Sequence, residues 1–593
     1  MPPSEAPRSR DPVNENSRVA GVSQYSPLGR DSMPPFGRTA AHENRALIAS
    51  CGLAKRAHRG FPDAIFRRTV RVPISLLFLL LLTTTVEIAF PASKKLSGSF
   101  ESQISRLINQ PKFEAGFWGI QIVSLKDNAI LYSLNAKRNF LPASNMKLMI
   151  GAAALDSLGP DYRFETPIYA HGRIDLEGRL QGDLVLVGVG DPNLEGRTYA
   201  MEEEHLAKSS SPLFIERLAD QIAKRPITYV EGDIVADDTA FLYEPYGQGW
   251  EHDDIQWGYG APASALAVNE NVFGVEVGPA DAAGDPALIS VTPFFEGLTL
   301  INRVETVEKG RQPSIGIERS LEKNRLILQG EVSKGCAKLD YTLAVPDPAE
   351  FAALLLKAAL EKRGIVVSGK ALARHLYPLD ALERGKPSLA RAKTLQPNYL
   401  QEERVAHNLS IALIETLKIM MKVSHNLYAE ILLRKLGGDS VGVGSIESGV
   451  AAIKTFLEKT GTAKENLHFS DGSGMSRTDL ITPESLTRLL QYMHKHPQGQ
   501  LFQAVLPIGG IDGTLEHRMR QTPAAGQIHA KTGTSKFVTT LSGYAQSKGG
   551  GLLAFSIMAN NHSASIQEVR DVVDQICTLM VEYAPRKKAR HRN

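Results

Sequence analysis

Apolar positions are scarce over residues 1–40, where seven prolines fall among polar side chains. Too little surface can be buried there to offset chain entropy, so a disordered extension is expected over 1–66. A continuous apolar run, Val72–Leu82, follows the basic flank Arg67-Arg68-Thr69-Val70-Arg71. Beyond it, Phe100, Ile104, Leu107 and Ile108 share one face and predict an amphipathic helix over 98–109. Trp118–Val123 and Ile130–Leu134 read as paired strands about a Lys126-Asp127-Asn128 turn. Pro142-Ala143-Ser144 opens a helix running through Leu155. From about 165 to 345 the texture is strand-like and punctuated by glycine turns, as in Leu184–Val187 and Leu326–Leu328. Helical periodicity returns with Phe351–Lys362 and strongly with Asn408–Leu436. Ile528–Lys531, Leu541–Gln546 and Leu552–Met558 read as three antiparallel strands, and a helix from Ile566 to Tyr583 closes the pattern. The sum is an α+β chain whose helix/strand beginning and ending are separated by a long β-rich insertion.

Length and composition fit this picture. The 593 residues hold several domains of roughly 100–200 residues each. With 43% hydrophobic and 22% charged residues, a wholly disordered, collagenous or polytopic membrane chain is excluded. The net charge is +3, but its distribution is uneven. Residues 1–71 carry 12 basic against 6 acidic side chains, and 585–593 add 5 basic and no acidic ones. The body between carries 50 basic and 58 acidic side chains. An acidic body argues against a nucleic-acid partner, and the basic tail 585–593 reads as a solvated segment or a contact to an anionic surface. Three widely spaced cysteines, Cys51, Cys336 and Cys577, form neither a disulfide framework nor a CxxC zinc site. Cys577 falls in an apolar helical stretch and reads as a buried, inert thiol.

A basic flank before an apolar core is the layout of a secretory signal. The run reaches Phe90 only across three threonines and Glu87, short of the about 20 apolar residues of a permanent span. Residues 67–93 therefore read as a signal peptide or signal anchor, with small residues from Ala89 to Ser93 for cleavage. The length ahead of it admits a start at Met33. Export to the periplasm or cell envelope follows.

Three short clusters can carry chemistry. In Ser144-Asn145-Met146-Lys147, Ser and Lys at i and i+3 share a helix face near its N-terminus. A serine hydroxyl needs a base to become a nucleophile, and a desolvated lysine with a lowered pKa is one. Taken alone, the pair reads more readily as a capping serine and a surface lysine, since S-x-x-K is common by chance. Ser424-His425-Asn426 presents a hydroxyl and an amide from a turn, or simply starts another helix. His529-Ala530-Lys531-Thr532-Gly533-Thr534 lies in a strand pattern. Its glycine admits a close backbone approach, and its lysine and hydroxyls suit a carboxylate ligand. The bland alternative is a strand end with a solvated lysine.

The ordered set S-x-x-K, S-x-N, K-T-G, in these contexts, is the signature of penicillin-interacting serine enzymes. The chain resembles the D-alanyl-D-alanine carboxypeptidase/endopeptidase family of low-molecular-mass penicillin-binding proteins. Further stretches carry the resemblance: Pro142–Leu148, Gly190-Asp191-Pro192, Gly260-Ala261-Pro262, Ala265–Asn271, Asp471–Arg477 and Gly510–Leu515. It runs from about 98 to 584, and departs at His425, where an acidic or small residue is expected.

The resemblance implies a penicillin-binding/β-lactamase-like transpeptidase domain, an antiparallel sheet flanked by helices. Its first part would be 98–165 and its second 395–584, with β-rich inserted domains over 166–394; the 280 residues between Ser144 and Ser424 leave room for them. It also implies roles. Ser144 attacks a D-Ala–D-Ala-type carbonyl, Lys147 takes its proton, and Ser424, near Lys147, relays a proton to the leaving amine. Asn426 holds the substrate amide and orients Lys147, while Lys531, Thr532, Gly533 and Thr534 bind the terminal carboxylate. The N–H groups of Ser144 and Thr534 would form an oxyanion hole, worth about 3–4 kcal/mol per donor. Peptidoglycan stem peptides and β-lactams are the implied partners, with no metal or cofactor; peripheral or anchored membrane association and a homodimer stay open, as does the balance of carboxypeptidase and endopeptidase activity. The alternatives are a β-lactamase or esterase on the same fold, or a non-catalytic peptidoglycan-binding protein. Gly438-Asp439-Ser440-Val441-Gly442 matches a hydrolase nucleophile elbow, but a helix precedes it where a strand is required, so a helix–helix loop is expected.

Overall fold

A computed structural model describes residues 98–199, 212–320, 324–383 and 386–584. The N-terminal extension, the signal-like run, Cys51 and the basic tail lie outside the described residues. No helix among the described residues is long and apolar enough to cross a membrane.

One sheet carries the site. Its five antiparallel strands run in the order Ile528–Ser535, Val538–Gln546, Leu552–Asn560, Phe117–Ser124, Ile130–Leu134. The predicted hairpin is present, with a register irregularity at Ile122/Val123 and Asn128 in the left-handed conformation its short polar side chain tolerates. Alternation explains why the central strands are apolar throughout. Along Leu552–Asn560, Leu553, Phe555, Ile557 and Ala559 enter one core, while Ala554 and Met558 enter the other. The first core is closed by helices Phe100–Ile108 and Ile566–Glu582 through Ile104, Leu107, Val572 and Ile576. The latter helix starts in a capping box of Ser565 and Glu568. Cys577 is fully buried in this core, and burial pushes its thiol up. The second core is built on Met146–Leu158, buried from Met146 through Leu155. A helix apolar on every side belongs inside a core.

Two expectations are corrected. The helical stretch does not begin at Asn408: Glu403–Leu409 is a strand pairing with Glu165–Ile174, and the helices Leu413–Lys422 and Asn426–Val441 follow, with the expected turn between them. The break falls at Ser424, whose φ of +63° no α-helix accommodates. The β-rich stretch also contains a helix, Leu213–Ala223, whose Phe214, Ile215, Leu218, Ala219 and Ile222 fit a helical period and are all buried.

The inserted stretch holds a seven-stranded sheet and two three-stranded sheets. In the larger sheet Glu165–Ile174 and Arg179–Val187 are antiparallel, while Ile234–Leu242 runs parallel to both Arg179–Val187 and Ala371–Leu376. Glu403–Leu409, placed above in the second part of the peptidase region, is an edge strand of this sheet. Its core, from Ile168 to Ala406, gathers side chains from the sheets and from helices Leu213–Ala223 and Pro348–Glu361. The G-x-S-x-G match is the last turn of Asn426–Val441, capped by Gly442 at φ +95°, and Ser440 Oγ donates to the Leu436 carbonyl.

Candidate active site

Ser144 lies in a short 3₁₀ turn, Ala143–Asn145, that leads into helix Met146–Leu158. The sheet holds this turn in place. Asn560 Oδ1 accepts from Leu141 N–H at 2.7 Å, Thr540 Oγ1 donates to the Pro142 carbonyl at 2.9 Å, and Asn145 Nδ2 donates to Thr540 Oγ1 at 2.6 Å. Ala143 has φ +45°, a strained value for a residue with a Cβ. Gly474, at φ +82°, packs against it so closely that a Cβ there would overlap the Ala143 carbonyl.

Lys147 is fully buried one helical turn on. Its Nζ lies 2.8 Å from Ser144 Oγ, 2.7 Å from Asn426 Oδ1 and 2.8 Å from the Ser473 carbonyl. Three partners use all three hydrogens of an ammonium. Burial pulls its pKa down to about 7, against the opposing pull of the Asp471 and Glu430 carboxylates. A lysine at that value is available as a base at neutral pH.

Ser424 reaches the site because the chain breaks between two helices. Its Oγ accepts from Lys531 Nζ at 2.8 Å, so in this geometry the hydroxyl is tied to the second lysine, while the donors of Lys147 are taken elsewhere. Lys531 also donates to the Thr532 carbonyl at 2.8 Å and is fully buried. Its pKa falls well below the usual lysine value through burial and the neighbouring Lys147. Asn426 opens its helix and donates from Nδ2 to the Tyr259 carbonyl at 2.9 Å. On strand Ile528–Ser535, Thr532 Oγ1 donates to Thr514 Oγ1 at 2.8 Å, and Thr534 Oγ1 accepts from Arg570 at 3.3 Å. Gly533 faces the Ser144 turn, where a Cβ would press on Thr540, the Pro142 carbonyl and Asn145.

Sequence reasoning gave no role to the two buried carboxylates beneath Lys147. Glu430 accepts from Gly472 N–H at 2.9 Å and Ser473 N–H at 2.8 Å, and pairs with Arg434 at 2.9 Å. Asp471 accepts from the Gly474 and Ser476 N–H groups, each at 2.8 Å, and from Trp250 Nε1 at 2.9 Å. Together they fold the loop Asp471–Arg477 so that the Ser473 carbonyl faces Lys147. Arg477 then ties that loop to the K-T-G strand through Ser535 Oγ at 2.9 Å. The stretch Asp471–Arg477 carries the resemblance and points to the loop, but a carboxylate bonded to backbone N–H groups leaves no spacing rule that assigns its role. His425, the departure noted above, meets Glu270 of the inserted stretch at 3.2 Å.

A serine–lysine pair beside a hydroxyl–amide turn and a lysine-bearing strand, on an antiparallel sheet packed with helices on both faces, defines a serine enzyme of the penicillin-binding/β-lactamase-like class. Within that class, the sequence profile of the D-Ala-D-Ala carboxypeptidase 3 (S13) family matches residues 100–378 and 387–582, and the chain belongs to that family. It is 32% identical over 529 residues to the D-alanyl-D-alanine carboxypeptidase of Actinomadura sp. (strain R39), a match covering 87% of this chain and 91% of the relative. It is 26% identical to the D-alanyl-D-alanine carboxypeptidase DacB of Haemophilus influenzae over 74% of this chain and 84% of the relative. The crystal structure of penicillin binding protein 4 (dacB) from Haemophilus influenzae superposes with a TM-score of 0.66 at 26% identity, covering 80% of this chain and 97% of that one. A second structure of that protein, complexed with a β-lactam, gives 0.62 at 25% identity with the same coverage.

Proposed function

We propose that the chain is a serine-type D-Ala-D-Ala carboxypeptidase that cleaves peptidoglycan stem peptides through an acyl-enzyme on Ser144, and that β-lactams acylate the same serine. The observation that carries this is Lys147: a buried amine with its pKa near 7, 2.8 Å from a serine hydroxyl at a helix start. Ser144 Oγ attacks the carbonyl before the terminal D-Ala, and its proton passes to neutral Lys147. The tetrahedral adduct collapses as the C–N bond breaks, and the departing amine takes a proton through the Ser424–Lys531 pair. The terminal carboxylate sits at the Thr532 and Thr534 hydroxyls, over the buried Lys531. Water then hydrolyses the ester and returns Ser144.

The same cleavage on a cross-link is endopeptidase activity. A β-lactamase reading is disfavoured because the carboxylates that act on Lys147 are engaged elsewhere, Glu430 by backbone N–H groups and Arg434, Asp471 by backbone N–H groups and Trp250. The address read in residues 67–93 puts the enzyme in the periplasm or cell envelope, with its substrate. Purified chain incubated with monomeric and cross-linked muropeptides should release D-Ala from the former and split the latter. Ser144→Ala should do neither, and undiminished cleavage by that variant refutes the assignment.

A further inference from the structure

The S-x-N turn is strained on one side and supported from the other by a segment distant in sequence. Ser424 holds φ +63°, a conformation that a serine keeps only where its surroundings impose it. Its neighbours divide the work. Ser424 and Asn426 bond the two catalytic-site lysines, while His425 between them reaches the inserted stretch. There, Asn269, Glu270 and Asn271 are three consecutive non-glycine residues with φ of +50°, +56° and +56°. Asn271 Nδ2 donates to the Pro262 carbonyl at 2.9 Å, and Asn269 Nδ2 to the Val272 carbonyl at 2.7 Å, which pins the unusual backbone. The result is one largely buried carboxylate aimed at the turn.

We propose that Glu270 is a positioning residue for the catalytic turn, holding His425 and Tyr428 and through them the placement of Ser424 and Asn426. Both its oxygens are used: Oε2 pairs with Arg197 at 2.8 Å and His425 Nε2 at 3.2 Å, and Oε1 accepts from the Tyr428 hydroxyl at 3.0 Å. The His425 and Tyr428 rings pack against each other at a tilt of 31° with centroids 4.1 Å apart, so the two contacts brace one another. Burial pushes the Glu270 carboxyl up, but His425, Arg197 and Tyr428 more than offset this and hold it at about 2, a lasting anion. His425 Nδ1 finds no hydrogen-bond partner among the described residues, so Glu270 supplies the ring's polar anchor. The inserted stretch therefore reaches the machinery of the peptidase region through this carboxylate, and a histidine fits between Ser424 and Asn426 because an acid stands opposite it.

The inference rests on the serine-peptidase reading, and the test separates the two. Full-length parent, Glu270→Gln, His425→Asn and the double variant are compared for single-turnover acylation by a chromogenic cephalosporin, for kcat and KM on a D-Ala-D-Ala peptide, and for thermal midpoint. Each single variant should lose roughly tenfold in acylation, and the double variant should lose no more than the worse single one, because coupled residues act non-additively. The loss should fall on kcat rather than KM, as expected for a misplaced catalytic group. Acylation at the parent rate in Glu270→Gln and His425→Asn, or losses that multiply in the double variant, overturns the proposal. So does a fall in thermal midpoint with kcat unchanged. A parent chain that is never acylated fails the serine-peptidase reading instead.

Discussion

Between pH 8 and pH 5, acylation of Ser144 should slow in step with the neutral fraction of Lys147. The amine is fully buried, and burial outweighs the Asp471 and Glu430 carboxylates to bring its pKa from 10.5 to about 7. Its neutral fraction is then about 0.9 at pH 8, about 0.1 at pH 6 and about 0.01 at pH 5, against about 0.003 at pH 8 for an ordinary lysine. The rate of single-turnover acylation by a chromogenic cephalosporin should fall by roughly 100-fold over that range, with an inflection near 7. The same displacement costs native stability about 5 kcal/mol below pH 7. Its sign is fixed by linkage. Between about 7 and about 10.5 the unfolded chain binds more protons at this lysine, so its contribution to stability rises with pH across that window and the cost is full below it. Lys147→Met should abolish acylation and flatten this rise in a series of urea midpoints. A rate that is flat from pH 5 to 8, or an inflection near 10, refutes the assignment of Lys147 as the base.

Gly474→Ala places a Cβ on the Ala143 carbonyl at φ +82°; it should destabilise the chain by roughly 1–3 kcal/mol in denaturant titration and slow acylation by displacing the nucleophile turn. Lys531→Ala should raise KM for peptides ending in a free carboxylate more than for C-terminal amides, and an equal effect on both refutes a carboxylate-directed role. His375 is buried between Asp238 at 2.9 Å and Asp347 at 3.0 Å. Burial pulls its pKa down, but those carboxylates more than offset it and push it up to about 9. Its contribution, at most about 3 kcal/mol, is complete below about pH 6.5 and lost as pH rises through 9, and burial of Asp238 subtracts from it. The lead of the parent over His375→Gln in thermal midpoint should therefore shrink from pH 6 to pH 9.5.

The contact between Ser144 and Lys147 was legible because a helix converts their i, i+3 spacing into proximity without further information. The three motifs in order disclosed the class, and apolar alternation disclosed the central strands. What pairs with what across the site was not legible. Ser424 bonds Lys531 rather than Lys147, and Lys147 takes its third partner from a carbonyl 326 residues away. The carboxylates Glu430 and Asp471 look, in sequence, like an ordinary helix acid and a turn aspartate; their function comes from backbone N–H groups folded around them. The helix Leu213–Ala223 was masked by its strand-rich neighbourhood, and Glu403–Leu409 by the helical texture that follows it, because strand pairing with Glu165–Ile174 is decided by a partner far along the chain.

Trapping the acyl-enzyme decides whether Ser144 is the acylated residue. The purified chain is exposed to a labelled penicillin, quenched, digested and mapped by mass spectrometry. A single adduct is expected on the peptide bearing Ser144, absent from Ser144→Ala and from Lys147→Ala. An adduct on Ser440 or Ser424, or one that survives in Ser144→Ala, contradicts the assignment to Ser144.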